Sequence, residues 1–188
     1  MKMMWQDISR WSKKLVSYGL TGSRFGNVSI RTKDGFIIKR TGVMLDEINS
    51  SEDLIEVRME PSEADRHAST ETPSHRAIYE VSDARAIIHA HPKYAIVESL
   101  LCESRMEPLD SEGLPFLEYI PIVDGDPGTK KLADGLKKVF GEHGKKAAIN
   151  RGHGTFAAGP DLEDCFNTTS MIEHSATIRY LYDLAKRR

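Results

Sequence analysis

An α/β fold, with one mainly antiparallel central sheet and helices on both faces, is predicted by three features of the sequence. Apolar residues recur at helical spacing near both ends of the chain, over 4–18 and 162–180. Short apolar runs bounded by glycine or proline lie between them, which is typical of strands. Two of these runs flank Asp34-Gly35, a dipeptide that favours a tight hairpin of antiparallel strands. The 188 residues are expected to form a single domain over 1–188.

The first third of the chain is predicted to form an amphipathic helix, a hairpin and one further strand. Gly19 is predicted to stop the helix. The hairpin strands are expected at 28–31 and 36–40, and the third strand at 54–59. The buried face of the helix is predicted to carry Met4, Ile8, Trp11, Leu15 and Tyr18.

The rest of the chain is predicted to mix helices and strands. Thr72 before Pro73 is expected to be a helix N-cap followed by a first-turn proline. Thr129 is expected to cap a later helix. The predicted elements after Pro73 are a strand at 86–91, a helix at 93–102, an irregular loop at 104–115, a strand at 119–123, a helix at 130–140, a strand at 154–159 and a helix from 161 onward.

Charge and hydropathy argue against two classes of partner. Lys+Arg 26 against Asp+Glu 28 gives a net charge of -2, whereas nucleic-acid-binding domains usually have a pI above about 9. No apolar run approaches the roughly 20 residues of a membrane helix, and residues 1–7 lack the apolar core of a secretory signal. We therefore expect a soluble cytoplasmic protein without nucleic-acid or membrane partners. Cys102 and Cys165 are expected to be buried free thiols within helices.

Two histidines at the end of a predicted strand form the most informative motif. Side chains two positions apart on a strand lie on the same face, so His89 and His91 are expected to point together. Ile88 and Ala90 then face the opposite way and can be buried. Pro92 ends the strand because it has no N–H to donate. The pattern predicts half of a metal site.

A third nitrogen ligand is predicted at His153, which lies between Gly152 and Gly154. Flanking glycines let the backbone turn sharply and approach a site closely. A catalytic zinc ion typically has three protein ligands and one position open to water or substrate. Two histidines on a strand and one distant histidine match that pattern.

Two small loops are expected to meet at the end of the hairpin opposite its turn. Gly26-Asn27 precedes the first hairpin strand, and Thr41-Gly42 follows the second. Their backbone N–H groups and short polar side chains could form an anion-binding concavity. Alternatively, the glycines serve only the geometry of the turns.

A polar tripeptide, Ser69-Thr70-Glu71, lies just ahead of a predicted helix start. A helix N-terminus attracts phosphate or carboxylate groups. Capping by the hydroxyls and a favourable interaction of Glu71 with the helix dipole are the simpler alternatives. His75 follows Glu71 by four positions and could reach toward the metal as an outer partner of its ligands.

Taken in their order along the chain, these residues resemble the class II aldolase/adducin family over nearly the whole sequence. The resemblance implies that His89, His91 and His153 bind one zinc ion (Zn2+) per subunit. It implies that Glu71 is the catalytic acid/base. The residues implied to bind the phosphate of a sugar-phosphate substrate are Gly26, Asn27, Thr41, Gly42, Ser69 and Thr70.

The same resemblance implies an activity and an assembly. A zinc-dependent aldolase would reversibly cleave a ketose 1-phosphate, such as L-fuculose 1-phosphate or 5-deoxyribulose 1-phosphate, to dihydroxyacetone phosphate and a small aldehyde. The cleavage leaves an enediolate, whose negative charge a zinc ion bound by neutral imidazoles can stabilise as a Lewis acid. The family also implies a homotetramer with active sites at the subunit interfaces.

Two departures from the family pattern are visible. The loop 108–113 lacks the tyrosine commonly found there at the aldehyde end of the site. Arg24 stands in the first phosphate loop, where it could clamp the phosphate or narrow the pocket. The alternatives within the family are a sugar-phosphate 4-epimerase, which usually has aspartate in place of Glu71, and a methylthioribulose-1-phosphate dehydratase. A non-catalytic adducin-like binding module is disfavoured by the three histidines and Glu71.

Overall fold

The computed structural model describes residues 4–186. Positions 1–3, part of the segment searched for a secretory signal, and positions 187–188 lie outside the described range. The strands are β1 Asn27–Arg31, β2 Gly35–Lys39, β3 Leu54–Arg58, β4 Ala86–Ala90, β5 Arg105–Met106, β6 Ile120–Val123, β7 Ala147–Asn150 and β8 Gly154–Gly159. The α-helices are α1 Met4–Ser17, α2 Thr72–Val81, α3 Lys93–Leu101, α4 Gly113–Leu117, α5 Lys130–Lys137 and α6 Leu162–Lys186.

The eight strands form one sheet in the order β3-β2-β1-β4-β8-β7-β6-β5. Neighbouring strands are antiparallel except for the parallel pair β6 and β7. The predicted hairpin is β1–β2, in which Ser29 pairs with Ile38 and Arg31 with Phe36. The prediction of a mainly antiparallel sheet is therefore confirmed.

Helices cover both faces of the sheet, because each face carries its own set of apolar side chains. On one face, α1 and the first half of α6 pack against strand residues that include Val28 and Ile88. On the other face, α2 and α5 pack against Phe36, Ile87 and Phe156. Helices α3 and α4 join the middle of α6 beside β6 and β7 in a third cluster. The predicted arrangement of helices is also confirmed.

Two helix ends differ from the predictions. Helix α1 ends at Ser17, so Tyr18 leaves the helical face, is 64% exposed and contacts Phe166 edge-on. The N-cap of α2 is Glu71, one residue before the predicted Thr72. The reason is a tight turn in which the Thr72 N–H and hydroxyl both donate to the Ser69 carbonyl.

Three other predictions need correction. The loop expected at 104–115 contains β5 and the start of α4, whose short lengths leave little periodicity to detect. Helix α5 ends at Lys137 and continues as a π-helical turn, Lys138–Glu142. Cys102 lies just after α3 and is only half-buried, whereas Cys165 is buried in α6; both are free thiols.

Among residues 4–186, every helix falls short of the length and hydropathy needed to cross a membrane.

Candidate active site

Three histidines from separate parts of the chain converge at one end of the sheet. His89 lies on β4, His91 just after it, and His153 in the turn between β7 and β8. The ring centroids are 4.8 Å apart for His89 and His91, 4.9 Å for His89 and His153, and 4.7 Å for His91 and His153. Their candidate ligand atoms all lie within 4.8 Å of one another. The structure thus brings together the three residues singled out in the sequence.

Strand pairing explains the convergence. In the antiparallel pair β4–β8, Ala90 lies opposite Thr155, and in the pair β7–β8, Asn150 lies opposite Gly154. The turn between β7 and β8 is therefore tight, and it lies beside the end of β4. A Cβ atom on Gly154 would be 2.3 Å from the Ala90 carbonyl oxygen. Only glycine at this position lets β8 approach β4 closely enough to present His153 beside His89.

The hydrogen bonds of His89 favour metal binding. Its Nδ1–H donates to the Thr155 carbonyl at 2.9 Å, so Nε2 keeps its lone pair. That Nε2 lies 3.0 Å from Nε2 of His91. Two nitrogens bound to one tetrahedral zinc would be roughly 3.3 Å apart for Zn–N bonds of about 2.0–2.1 Å. The donor set and its spacing fit a zinc ion.

The three imidazoles are held in the neutral form that metal binding requires. Burial, with smaller contributions from the neighbouring His91 and His153, lowers the pKa of His89 well below its usual value. Burial and the neighbouring His153 lower the pKa of His91 to about 4. Burial lowers the pKa of His153 as well. Near neutral pH, all three rings can therefore offer a lone pair.

Glu71 places a carboxylate beside this cluster. Its side chain is buried at the start of α2 and its Oε1 lies 3.9 Å from Nδ1 of His153. Its Oε2 accepts a hydrogen bond from the Ser74 hydroxyl at 2.5 Å, and Gly128 donates a backbone N–H to the carboxylate. Within residues 4–186, Oε1 has no hydrogen-bond partner. Burial raises the pKa of Glu71, although the bonds from Ser74 and Gly128 oppose the shift.

The first loop predicted to bind phosphate lies beside the histidines. Asn27 pairs with His89 across β1 and β4, and its side chain is buried. Its Oδ1 has no hydrogen-bond partner among residues 4–186. The Gly26 backbone packs closely against β4, because a Cβ atom on residue 26 would lie 2.6 Å from the His89 carbonyl oxygen. Arg24 is exposed in the same loop.

The other predicted phosphate residues are joined to this region by backbone hydrogen bonds. The Thr41 N–H donates to His67 and the Ser69 N–H to Lys39, so the segments 39–42 and 67–70 run side by side. Gly42, with φ of +81°, is exposed. Thr70 is exposed, whereas Ser69 is buried and faces the N–H of Glu71 at 3.4 Å. Because β1 begins at Asn27 and β2 ends at Lys39, Gly26 and Thr41-Gly42 both lie at the end of the hairpin opposite its turn.

His75 lies behind the site rather than in it. Its Nδ1 hydrogen-bonds to Ser29 at 2.7 Å, and the same Ser29 hydroxyl contacts Tyr79 at 2.8 Å. Phe156 packs against both His75 and His89, with ring centroids 6.2 Å and 4.3 Å away. His75 thus supports the cluster through packing and not through a hydrogen bond to a neighbouring histidine.

Sequence reasoning missed several residues that contact the site. Ser74 follows Glu71 by three positions in a helical first turn, a spacing that predicts their contact. The Asn150 side-chain amide lies 3.1 Å from His153 Nδ1 and donates to the Gly125 carbonyl at 3.0 Å. The ring of Phe25 stacks on His91 with centroids 5.4 Å apart. No periodicity indicates these last two contacts, because Phe25 lies in an irregular turn and Asn150 is the last residue of β7, directly before the turn that carries His153.

Together the mainly antiparallel sheet and the cluster define an α/β protein with a three-histidine site able to hold a metal ion. The chain belongs to the Class II Aldolase and Adducin N-terminal domain family, whose model matches residues 6–180. The fold is the class II aldolase fold, and the family suggests a lyase that is typically metal-dependent.

Three known proteins illustrate the similarity. The crystal structure of L-fuculose-1-phosphate aldolase from Thermus thermophilus superposes with a TM-score of 0.89 at 32% identity, covering 99% of this chain and 97% of that one. The L-fuculose phosphate aldolase of Methanococcus maripaludis strain C5 is 28% identical over 158 residues, covering 83% of this chain and 84% of its own. The methylthioribulose-1-phosphate dehydratase of Acidiphilium cryptum is 31% identical over 164 residues, covering 79% and 76%.

Proposed function

We propose that this protein is a zinc-dependent aldolase that reversibly cleaves a ketose 1-phosphate to dihydroxyacetone phosphate and a small aldehyde. The observation that carries the proposal is the unpartnered Oε1 of Glu71, which lies 3.9 Å from Nδ1 of His153. A buried carboxylate and three neutral imidazoles at one point form a set suited to removing a proton beside a polarised carbonyl. The similarity to two L-fuculose phosphate aldolases supports the choice of substrate class.

His89, His91 and His153 would hold one Zn2+ per subunit. The ion would supply a Lewis acid that offsets the negative charge developing on the substrate oxygens during cleavage. The role of the protein is to keep the three imidazoles neutral and in place. The His89 bond to Thr155 and the stacking of His89 on Phe156 provide that orientation.

Glu71 would transfer a proton to and from the carbon of the dihydroxyacetone fragment. In cleavage, the hydroxyl beyond the scissile bond gives its proton to solvent and becomes the aldehyde carbonyl, and the electron pair of the broken carbon–carbon bond stays with the dihydroxyacetone fragment. Glu71 then donates a proton to the carbon of that fragment, and in the reverse direction it removes the same proton. The Ser74 hydroxyl holds Oε2, whereas Oε1 has no hydrogen-bond partner among residues 4–186 and is free for this transfer. The raised pKa of Glu71 makes its protonated form accessible.

The substrate phosphate would bind in the concavity of the three loops. Asn27 and the loops carrying Thr41, Gly42, Ser69 and Thr70 offer N–H and hydroxyl donors near the histidines. Binding at this non-reacting group would orient the reacting carbons.

We also propose that residues 1–188 act as one domain in a homotetramer with interfacial active sites. Large apolar side chains that are more than half exposed support this assembly: Phe25, Leu100, Leu101, Leu114 and Phe116.

A dehydratase acting on methylthioribulose 1-phosphate is the second candidate, favoured by the 31% identity to the enzyme from Acidiphilium cryptum. The same polarised ketone can lose water instead of an aldehyde. A 4-epimerase is less favoured, since Glu71 stands where that branch usually has aspartate.

The deciding experiment is a cleavage assay with L-fuculose 1-phosphate and 5-deoxyribulose 1-phosphate, in which dihydroxyacetone phosphate is detected by coupled reduction. We expect cleavage by the zinc-loaded protein, loss of activity with a chelator, and a rate about 10²- to 10⁴-fold lower for Glu71→Gln. Glu98→Gln is a matched control, because Glu98 is buried on α3 and pairs with Arg179 instead of approaching the histidines. Water loss from methylthioribulose 1-phosphate without aldol cleavage would favour the dehydratase. A protein that neither binds metal nor cleaves would favour an adducin-like binding module.

A further inference from the structure

The turn that presents His153 is attached to the end of α3 by the side chain of Arg151. Its guanidinium donates to the carbonyls of Ser99, Cys102 and Glu103 at 2.5, 2.8 and 2.5 Å. Its Nε also donates to Asp124 at 2.7 Å. Three of these four contacts are to backbone carbonyls at the C-terminal end of α3, which carries partial negative charge and attracts a cation.

Backbone N–H groups next to Arg151 also attach the turn to α3 and to the sheet. The N–H of Gly152 donates to the Ser99 hydroxyl at 2.9 Å, and the N–H of His153 donates to the Asn150 carbonyl at 3.0 Å. The Arg151 N–H continues the ladder of β6 and β7. The start of the turn is therefore fixed by the sheet, and its tip is fixed by α3.

The opposite end of α3 is attached to a second histidine. Pro92, which precedes the helix, directly follows His91. Glu173 of α6 accepts the first N–H groups of α3, from Tyr94 at 3.1 Å and Ala95 at 2.9 Å. Helix α3 thus begins beside one histidine of the cluster and ends at the turn that carries another.

We propose that Arg151 is a positioning residue that sets the place of His153 relative to His91 through α3. This inference rests on the proposed metal site, and it assigns Arg151 a role in the affinity of that site. Arginine suits the role because its planar fork of N–H donors can bind several carbonyls at once. A lysine keeps the charge but cannot span the same set of acceptors.

The test combines metal affinity with a measurement on the metal-free protein. Zinc and cobalt affinities of Arg151→Ala and Arg151→Lys are measured by chelator competition, and the cobalt absorption spectrum reports the coordination geometry. We expect affinity to fall by about 10- to 100-fold in Arg151→Ala and less in Arg151→Lys. In the metal-free protein, amide hydrogen exchange at Gly152 and His153 should be faster in Arg151→Ala than in the wild type.

Arg179→Ala is the matched control, because Arg179 also contacts α3, through Glu98 at 3.2 Å, but does not touch the turn. This variant should lose thermal stability and keep the wild-type metal affinity and cobalt spectrum. If Arg151→Ala behaves in the same way, Arg151 serves stability alone and the inference is overturned. If the wild-type chain itself binds no metal, the proposed function and this inference both fail, which is a different and recognisable result.

Discussion

Asn27 and His89 are paired across two adjacent strands, and the buried Oδ1 of Asn27 has no hydrogen-bond partner among residues 4–186. A buried polar atom without a partner is unfavourable unless a ligand or water satisfies it. Asn27 therefore connects the loop proposed to bind phosphate with the strand that delivers two of the three histidines.

Removing His153 should separate metal binding from folding. His153 is only partly buried, so His153→Ala should fold, while zinc affinity should fall at least 100-fold because one of three ligands is lost. Chelator competition and circular dichroism measure the two effects. His143→Ala, in an exposed turn, serves as the control and should bind zinc like the wild type. Equal affinity in both variants would contradict the assignment of His153 as a ligand.

Ser74 should tune the acidity of Glu71. The Ser74 hydroxyl donates to Glu71 and stabilises its charged form, so Ser74→Ala should raise the pKa of Glu71 further. Exchange of the carbon-bound proton of dihydroxyacetone phosphate with deuterated solvent requires the ionised carboxylate. The low-pH limb of that exchange rate should therefore move to higher pH in Ser74→Ala. An unchanged limb would mean that Glu71 is not the base.

Adding one methyl group at Gly154 should be costly. Its Cβ would lie 2.3 Å from the Ala90 carbonyl oxygen, which belongs to the backbone and cannot rotate away. We expect Gly154→Ala to lower the free energy of unfolding by about 3 kcal/mol and to weaken zinc binding. Gly135→Ala in α5 is the control, since its Cβ would meet Val123 only at 3.4 Å. That variant should be at least as stable as the wild type, because alanine favours helices. Urea unfolding measures both variants.

Acid should destabilise the metal-free protein, partly through His75. Complete burial lowers the pKa of His75 from 6.5 to about 3, so below pH 6.5 the unfolded chain binds a proton that the folded chain does not. Stability contributed by this histidine is therefore complete above pH 6.5 and is lost as the pH falls toward 3. Between pH 6.5 and 5 one such group accounts for about 2 kcal/mol.

The check is urea unfolding of the metal-free wild type and of His75→Gln at several pH values. The variant lacks the titrating ring, so its unfolding free energy should decline less steeply between pH 6.5 and 5. The comparison depends on slopes, so any general loss of stability in the variant does not affect it. Parallel slopes would show that His75 is protonated equally in the folded and unfolded chains, which would contradict its lowered pKa.

The sequence by itself determined most of the elements and part of the site, but not β5, α4 or β7. Strand alternation places His89 and His91 on one face, and the hairpin around Asp34-Gly35 puts Gly26-Asn27 and Thr41-Gly42 at the end opposite its turn. Such relationships follow from the spacing of residues within one or two adjacent elements, which the chain encodes locally. The flanking glycines pointed to His153 as a third ligand, and the resemblance to the class II aldolase/adducin family added the role of Glu71.

Only the tertiary structure decided which atoms are left free and what holds them. The Glu71 carboxyl accepts the backbone N–H of Gly128, which is distant in sequence, and the position of His153 depends on Arg151 reaching the carbonyls of α3. Tyr18 illustrates the same limit, since its helical spacing predicts burial but the helix ends one residue earlier. Contacts between distant segments leave no periodic signal in the sequence, because they are fixed by packing and by hydrogen bonds that form only when the chain has folded.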